Sequence, residues 1–413
     1  ETSADFPMRS YSWELWDNDN EDKKASLLGF KEESDWVLHA PYNDKTLMRN
    51  FLIHDRMRAL DGNAQGMGVK LVEVFYNQDG GALAENDYRG VYVLTEKIKR
   101  SPHRVDVEKL NGQMTRPSVI NGGYIFKRDK LDAGDVTFTT ATNGVTFTFV
   151  DPEIPNSAQR SWLENHLNAF ETSLAGPGFS DPDSGYPSYI NPRSFIDNQW
   201  FVEIAKQIDG YRWSTYFFKD RNGRINAGPL WDYNLSLFNA NYNGGESHSG
   251  WYYSLLGPAD YYYWPRLHQD PNYRLQHWDR YWELRRGIFE TNSILNRIDS
   301  VASQLVDGSV TPVTNYMSKK SPLMENPAMR HFRKWPVLGT YLWPNPNHYG
   351  TRRIYWNGPG LIPTDYRYSD AEVDAMKSFL KLRLEWIDDQ NHVGTTIYRP
   401  PVFSPAGGHV TAG

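Results

Sequence analysis

Cysteine is absent from the 413 residues of this sequence, which excludes disulfide bonds, thiol catalysis and cysteine-ligated zinc sites. The motifs GxxxxGK(S/T), HExxH and GxSxG are missing too, and so is a glycine-rich dinucleotide fingerprint. No apolar run is long enough to cross a bilayer. The formal net charge of −6 gives no positive field that would attract nucleic acid or an anionic membrane, so neither partner is expected.

Aromatic residues are abundant instead. They make up 15% of the chain, with 15 Trp and 26 Tyr. Such side chains suit large interfaces, sugar-stacking surfaces or a wide hydrophobic core, and the core is the favoured interpretation. Charged residues are ordinary at 23%, so the composition is not that of a disordered chain.

Two patterns divide the chain. Residues 1–155 contain short runs with strand-like alternation, such as YSWEL and VKLVEVFY, and are predicted to form a β-rich part. Residues 156–395 carry apolar side chains at helical spacing and are predicted to form a mostly helical part. The sequence therefore predicts an α+β fold. Residues 396–413 are rich in proline and glycine and are predicted to be a linker or the start of a truncated following module.

The helical part is interrupted by a predicted β-hairpin. The segments YRWSTYFFKD and RINAGPLWDYN are joined through the Asn-Gly pair at 222–223, a strong hairpin signal. If Arg221 and Arg224 close the turn, Asp232 falls opposite Trp213. The predicted hairpin therefore places Asp232, from its second strand, beside the beginning of its first strand.

Asp232 stands in an apolar, aromatic run, where an ionised carboxylate is costly unless it is paired. A helix cap is the simpler alternative for it. Asp209 follows an apolar helix and is brought to the same end of the hairpin. Two converging carboxylates repel each other, which favours a shared divalent cation or a shared proton. The order of helix, aspartate, hairpin and second aspartate resembles that of protein kinases, in which a metal ligand lies five residues after the first aspartate, here Ser214.

Ordered blocks along nearly the whole sequence resemble the CotH kinase family, atypical kinase-like proteins named after a bacterial spore coat protein. The block DWVLHAPYNDKTLMRN is similar to the family pattern WVLLAPYxDxTLLRN, and GPLWDYNLSL is similar to GPLWDFDLAFG. Further blocks that resemble the family are FPMRSYSWEL, LVEVFYNQ with YRGVYVLTEKIKR, NGGYIFKRD and FLKLRLEWIDDQ.

This resemblance implies a divergent protein-kinase-like fold with two lobes, formed by one domain over residues 1–395. It also implies transfer of the γ-phosphoryl group of ATP to Ser or Thr of an extracellular or surface protein, with Mg²⁺ or Mn²⁺ as the metal. We expect a bacterial protein that is secreted or held at the cell surface, with its signal peptide outside this sequence.

The resemblance also assigns residues. Asp209 occupies the position of the catalytic-loop aspartate, and Asp232 occupies the metal-binding position. Arg49, Glu96 and Lys127 lie in matched blocks, where each can contact phosphates or hold a phosphate-binding cation in place. A structural ion pair is the alternative role, above all for Arg49 and Glu96.

Three positions depart from the family pattern. Ser214 replaces the usual asparagine, and Asn234 replaces a second aspartate; both are predicted as metal ligands beside Asp232. Met8 and Arg9 stand where lysine pairs are common, and Arg9 can supply the missing charge as a guanidinium fork. The family's RGNSS-like stretch is expected before residue 1, outside this sequence.

Two alternatives follow from these observations. The departures allow a catalytically inactive module that binds partners or assembles surface structures. The many Trp and Tyr residues, together with paired carboxylates, also fit a protein that binds or hydrolyses polysaccharide. The ordered blocks favour the kinase interpretation over both.

Overall fold

The computed structural model describes residues 6–60, 66–257, 263–306, 326–345 and 352–390. Within these ranges the chain forms nine strands in two antiparallel sheets, and ten α-helices. Seven of the strands precede the long helix Ser157–Ala175, and most helices follow it. The predicted α+β fold, with a β-rich N-terminal part and a mostly helical C-terminal part, is confirmed.

The first sheet has four strands in the order β1-β2-β4-β3. Its strands are β1 (Tyr11–Glu14), β2 (Asp35–His39), β3 (Val69–Phe75) and β4 (Tyr88–Glu96), and helix α1 (Arg49–Arg58) packs against β3. Strand β4 lies inside the sheet and is buried along almost its whole length, whereas the edge strand β3 is only half-buried. This sheet and α1 supply one side of the site described below.

The second sheet has five strands in the order β6-β7-β5-β8-β9. Three come from the N-terminal part: β5 (Tyr124–Arg128), β6 (Thr137–Thr139) and β7 (Thr146–Asp151). The other two, β8 (Thr215–Lys219) and β9 (Ile225–Ala227), form the hairpin of the helical part. Because β8 pairs with β5, the hairpin joins the two parts of the chain in one sheet.

The hairpin between β8 and β9 is confirmed, but its register differs by one residue from the prediction. Lys219 lies opposite Ile225, which leaves five residues in the connection. The predicted closing pair of Arg221 and Arg224 is therefore wrong. The turn explains the shift, because the amide of Gly223 donates to the carbonyl oxygen of Asp220 at 3.1 Å.

Several helices begin where the sequence offers a cap or a proline. An asparagine side chain caps α3 (Ser157–Ala175), and proline occupies the first position of α5 (Pro192–Ala205), where the missing amide hydrogen costs nothing. None of the described helices is long and apolar enough to span a membrane. The limits of the single domain stay a prediction, and residues 396–413 lie outside the described ranges. The remaining helices are α2 (Pro117–Ile120), α3 (Ser157–Ala175), α4 (Tyr186–Tyr189), α5 (Pro192–Ala205), α6 (Tyr263–Leu267), α7 (Pro271–Arg286), α8 (Thr291–Leu305), α9 (Pro327–Lys334) and α10 (Glu372–Gln390).

Candidate active site

A cavity of about 300 Å³ lies where the first sheet meets the loops on either side of the hairpin. Strand β2 contributes His39 to its lining, and α1 contributes Asn50 and His54. The segment that follows β5 adds Asp129 and Lys130. We call this space the first cavity.

Four of the residues predicted from the sequence meet in the first cavity. Asp209 and Ser214 reach it from the loop before β8, and Asp232 and Asn234 reach it from the loop after β9. Asp232 lies beyond the end of β9, so it does not pair with Trp213 across a ladder as predicted. The two aspartate loops nevertheless converge on one space.

Both loops contain non-glycine residues in the left-handed backbone region, which side chains adopt at an energetic cost. In the loop before β8, Tyr211 has φ of 70° and Ser214 has φ of 50°. In the loop after β9, Asp232 has φ of 56°. Such conformations persist only when surrounding contacts hold them, and they cluster at functional sites.

Gln207 supplies contacts of this kind to both loops. Its side-chain oxygen accepts a hydrogen bond from the amide of Asp209 at 3.3 Å, and its side-chain nitrogen donates to the carbonyl oxygen of Asp232. The amide of Tyr233 donates to the side-chain oxygen of Asn50 on α1. The two aspartates are therefore tied to each other and to the first sheet's helix. Sequence reasoning missed Gln207, because nothing in its local pattern reveals a contact with residue 232.

The electrostatics of the first cavity favour protonation of Asp209 and Asp232. Burial is the main cause, and the charge of Asp232 the second, of a rise in the pKa of Asp209 to about 6. Burial and the charge of Asp129 likewise raise the pKa of Asp232 to about 6. A bound cation would relieve this repulsion.

Asp129 is a third carboxylate of the cavity, which the sequence interpretation did not single out. Its Oδ1 accepts a hydrogen bond from the amide of Ser214 at 3.3 Å, and its Oδ2 lies 3.4 Å from the Nζ of Lys127. It therefore links β5 to the loop that carries Asp209. Its position at the end of the matched block NGGYIFKRD was the available signal.

Lys127 faces a different space from the four convergent residues. It lines a second cavity of about 990 Å³, which adjoins the first and shares Val37, Asp132 and Trp231 with it. We call this space the second cavity. Tyr216 and Phe149 add apolar surface to its wall.

The structure does not bring Arg9, Arg49 or Glu96 to this place. Among the described residues that line either cavity, none of the three is present. Arg49 is buried and paired with Asp44, and Glu96 is buried and lies 3.3 Å from Arg58. Arg9 is exposed. Arg49 and Glu96 therefore form ion pairs within the fold, which is the alternative role that the sequence left open for them.

The donors in the first cavity suit a hard divalent cation. The described part of the chain contains no group of three His, Cys, Asp or Glu side chains arranged to hold a metal by themselves. Mg²⁺ is commonly held by one or two carboxylates together with water and substrate phosphates. The oxygen donors of Asp232, Asn234 and Ser214 fit that pattern.

The order of these elements defines a class of protein. A helix, an aspartate loop, a hairpin and a second aspartate loop follow one another in kinase-like folds. Comparison with known families agrees, since the family described as CotH kinase protein matches residues 1–387. The chain belongs to the CotH kinase family, as its ordered blocks predicted, and its α+β fold is kinase-like. A search of curated proteins returned no match to it.

Proposed function

We propose that this protein is an atypical, metal-dependent protein kinase that transfers the γ-phosphoryl group of ATP to Ser or Thr of a protein. The observation that carries the proposal is the convergence of Asp209 and Asp232 in the first cavity, each with a pKa of about 6. The Ser/Thr acceptor, secretion and a bacterial origin rest on the family resemblance alone.

The two adjoining cavities support a proposal for how the nucleotide binds. The second cavity is large enough for a nucleoside, and its wall includes the rings of Tyr216 and Trp231. The first cavity holds the carboxylates that phosphoryl transfer requires. We infer that the base and sugar bind in the second cavity and that the phosphates extend past Trp231 into the first.

Asp232, with Ser214 and Asn234 beside it, would hold the divalent cation. When bound, Mg²⁺ or Mn²⁺ supplies positive charge that neutralises the phosphates and the leaving ADP. Gln207 keeps the backbone of Asp232 in place through its hydrogen bond to the carbonyl oxygen. The loop that carries Asp232 is thus held in position in the absence of substrate.

Asp209 is placed to act as the base that orients the acceptor hydroxyl. The hydroxyl oxygen forms a bond to the γ-phosphorus while the bond from that phosphorus to the bridging oxygen of ADP breaks, and ADP leaves with the electron pair. The hydroxyl proton passes to the carboxylate of Asp209 and then to water. A pKa of about 6 keeps Asp209 mostly ionised at pH 7.5 yet basic enough to accept that proton.

Transfer from labelled ATP tests this proposal. With Mn²⁺ or Mg²⁺, and with casein or the protein itself as acceptor, the parent should incorporate γ-phosphate into Ser or Thr. Asp209→Asn and Asp232→Asn should each lower incorporation by about 100-fold or more. Asp183→Asn, at an exposed loop residue, is the matched control and should behave like the parent. Unchanged incorporation in either site variant would overturn the assigned role.

A catalytically inactive module for binding or surface assembly is the second candidate. It is favoured by Arg9, which is exposed and does not line either cavity, although the family commonly has lysine there. Calorimetry with ATP and Mn²⁺ separates the two candidates, since nucleotide binding in the micromolar range would count against the inactive module. Release of reducing sugar from polysaccharide would instead support the polysaccharide alternative.

A further inference from the structure

Lys130 is distinguished by where its charge lies. Among the described residues that line the first cavity, it is the only Lys or Arg. It directly follows Asp129 at the end of β5, and its amide donates to the Oδ1 of that residue at 3.0 Å. The start of its side chain is therefore fixed beside the aspartate loops, while the residue itself is exposed.

Four other basic residues do not bring a positive charge into the first cavity: Arg49, Lys127, His39 and His54. Arg49 is buried in its pair with Asp44, and Lys127 lines the second cavity beside Asp129. The two histidines of the first cavity stay neutral at pH 7, because burial lowers the pKa of His39 to about 4 and that of His54 to about 3. Among the described residues that line the first cavity, Lys130 is therefore the one that offers polyphosphate a positive charge at pH 7.

The charge of Lys130 already acts on this space. It lowers the pKa of both Asp209 and Asp232, against the larger effect of burial. A lysine ammonium is a compact charge with three donors, suited to phosphate oxygens that change position during transfer. Phosphoryl transfer sites need such a cation near the terminal phosphates.

We propose that Lys130 binds the terminal phosphates of ATP and supplies the charge that the family's lysine pair at positions 8 and 9 would otherwise provide. The inference rests on the proposed function, because it takes ATP as the ligand of the first cavity. It predicts that the contribution of Lys130 depends on the number of phosphates and not on the nucleoside.

Calorimetry at pH 7.5 with Mn²⁺ tests the proposal, with ATP, tripolyphosphate and adenosine as the probes. Lys130→Ala should weaken binding of ATP and of tripolyphosphate about tenfold or more, which corresponds to about 1.4 kcal/mol. Adenosine binding should not change. Lys130→Arg keeps the charge and should stay within about threefold of the parent. Lys381→Ala removes the same charge from the exposed face of α10 and should leave all three affinities unchanged.

The outcomes separate this inference from the proposed function. If the parent binds ATP and Lys130→Ala binds it equally well, the role of Lys130 is overturned and the kinase proposal stands. If the parent binds tripolyphosphate but not ATP, and Lys130→Ala loses it, Lys130 is a phosphate ligand and the kinase proposal falls. A parent that binds neither probe overturns both. Equal losses in Lys130→Ala and Lys381→Ala would assign the effect to net charge and would also overturn the role.

Discussion

Asp209 and Asp232 hold charge where the folded chain disfavours it. Asp232 has a pKa of about 6, against an ordinary value of 3.8, because it is buried and faces Asp129. Between these two pH values the folded state keeps a proton that the unfolded state releases. The ligand-free protein therefore loses stability as the pH rises from about 4 to 6, and the loss remains in full above pH 6.

Replacing Asp232 by asparagine should consequently stabilise the ligand-free protein while it abolishes transfer. We expect Asp232→Asn to raise the melting temperature at pH 7.5 by about 1–4 °C. The difference should shrink toward pH 4, where the folded parent keeps its carboxyl protonated and the unfolded chain begins to bind the same proton. Scanning calorimetry without metal at both pH values measures this. Asp183→Asn serves as control, and a lower melting temperature for Asp232→Asn at pH 7.5 would contradict the prediction.

The hairpin and its two flanking loops form the element on which the site is built. Gln207 holds the loops together, since one side-chain amide contacts the backbone of Asp209 and of Asp232. The amide of Leu237 adds a second link, donating to the carbonyl oxygen of Ala205 at 2.6 Å. Loss of Gln207 would loosen the position of both carboxylates without removing either one.

Gln207→Ala is therefore expected to lower kcat by about tenfold or more with a small effect on KM for ATP, because misplaced catalytic groups slow the chemical step. Gln207→Glu keeps the size but loses the donor to the Asp232 carbonyl, and it should be at least as impaired. Steady-state kinetics with labelled ATP provides both constants. Gln113→Ala, at an exposed loop residue, is the control. A change confined to KM would contradict the positioning role.

Much of this element could be predicted from the sequence. The Asn-Gly pair indicated the hairpin, and the matched blocks indicated that Asp209, Ser214, Asp232 and Asn234 belong together. Local pattern could not give the register, because the turn closes through a five-residue connection instead of a two-residue one. Nor could it find Gln207, whose partner across the hairpin is 25 residues away.

At the scale of the whole molecule, the last described helix, α10, supports the site through contacts with α5. Arg383 of α10 is fully buried, as is Glu203 of α5, and their side chains lie 3.3 Å apart. Arg383 also donates to the carbonyl oxygen of Gly250 at 2.8 Å. Glu203 accepts hydrogen bonds from the amides of Tyr252 and Tyr253, both at 2.8 Å. This network fixes the end of α5, from which the loop carrying the first aspartate departs.

Arg383→Met should destabilise the protein strongly, because it leaves Glu203 as a buried charge without its cation. Breaking a buried pair in this way costs about 3–5 kcal/mol. Urea unfolding followed by tryptophan fluorescence measures the change as a shift of the midpoint. Lys381→Met, on the exposed face of the same helix, should shift the midpoint little. Equal midpoints for the two variants would contradict the prediction.

The pair of Glu203 and Arg383 also has a consequence for synthesis on the ribosome. These two residues are separated by 180 positions along the chain. A nascent polypeptide exposes the loop with Asp209 long before α10 has been translated, and non-local contacts of this length form late. We therefore expect the network that supports the end of α5 to be completed only after Arg383 has been translated.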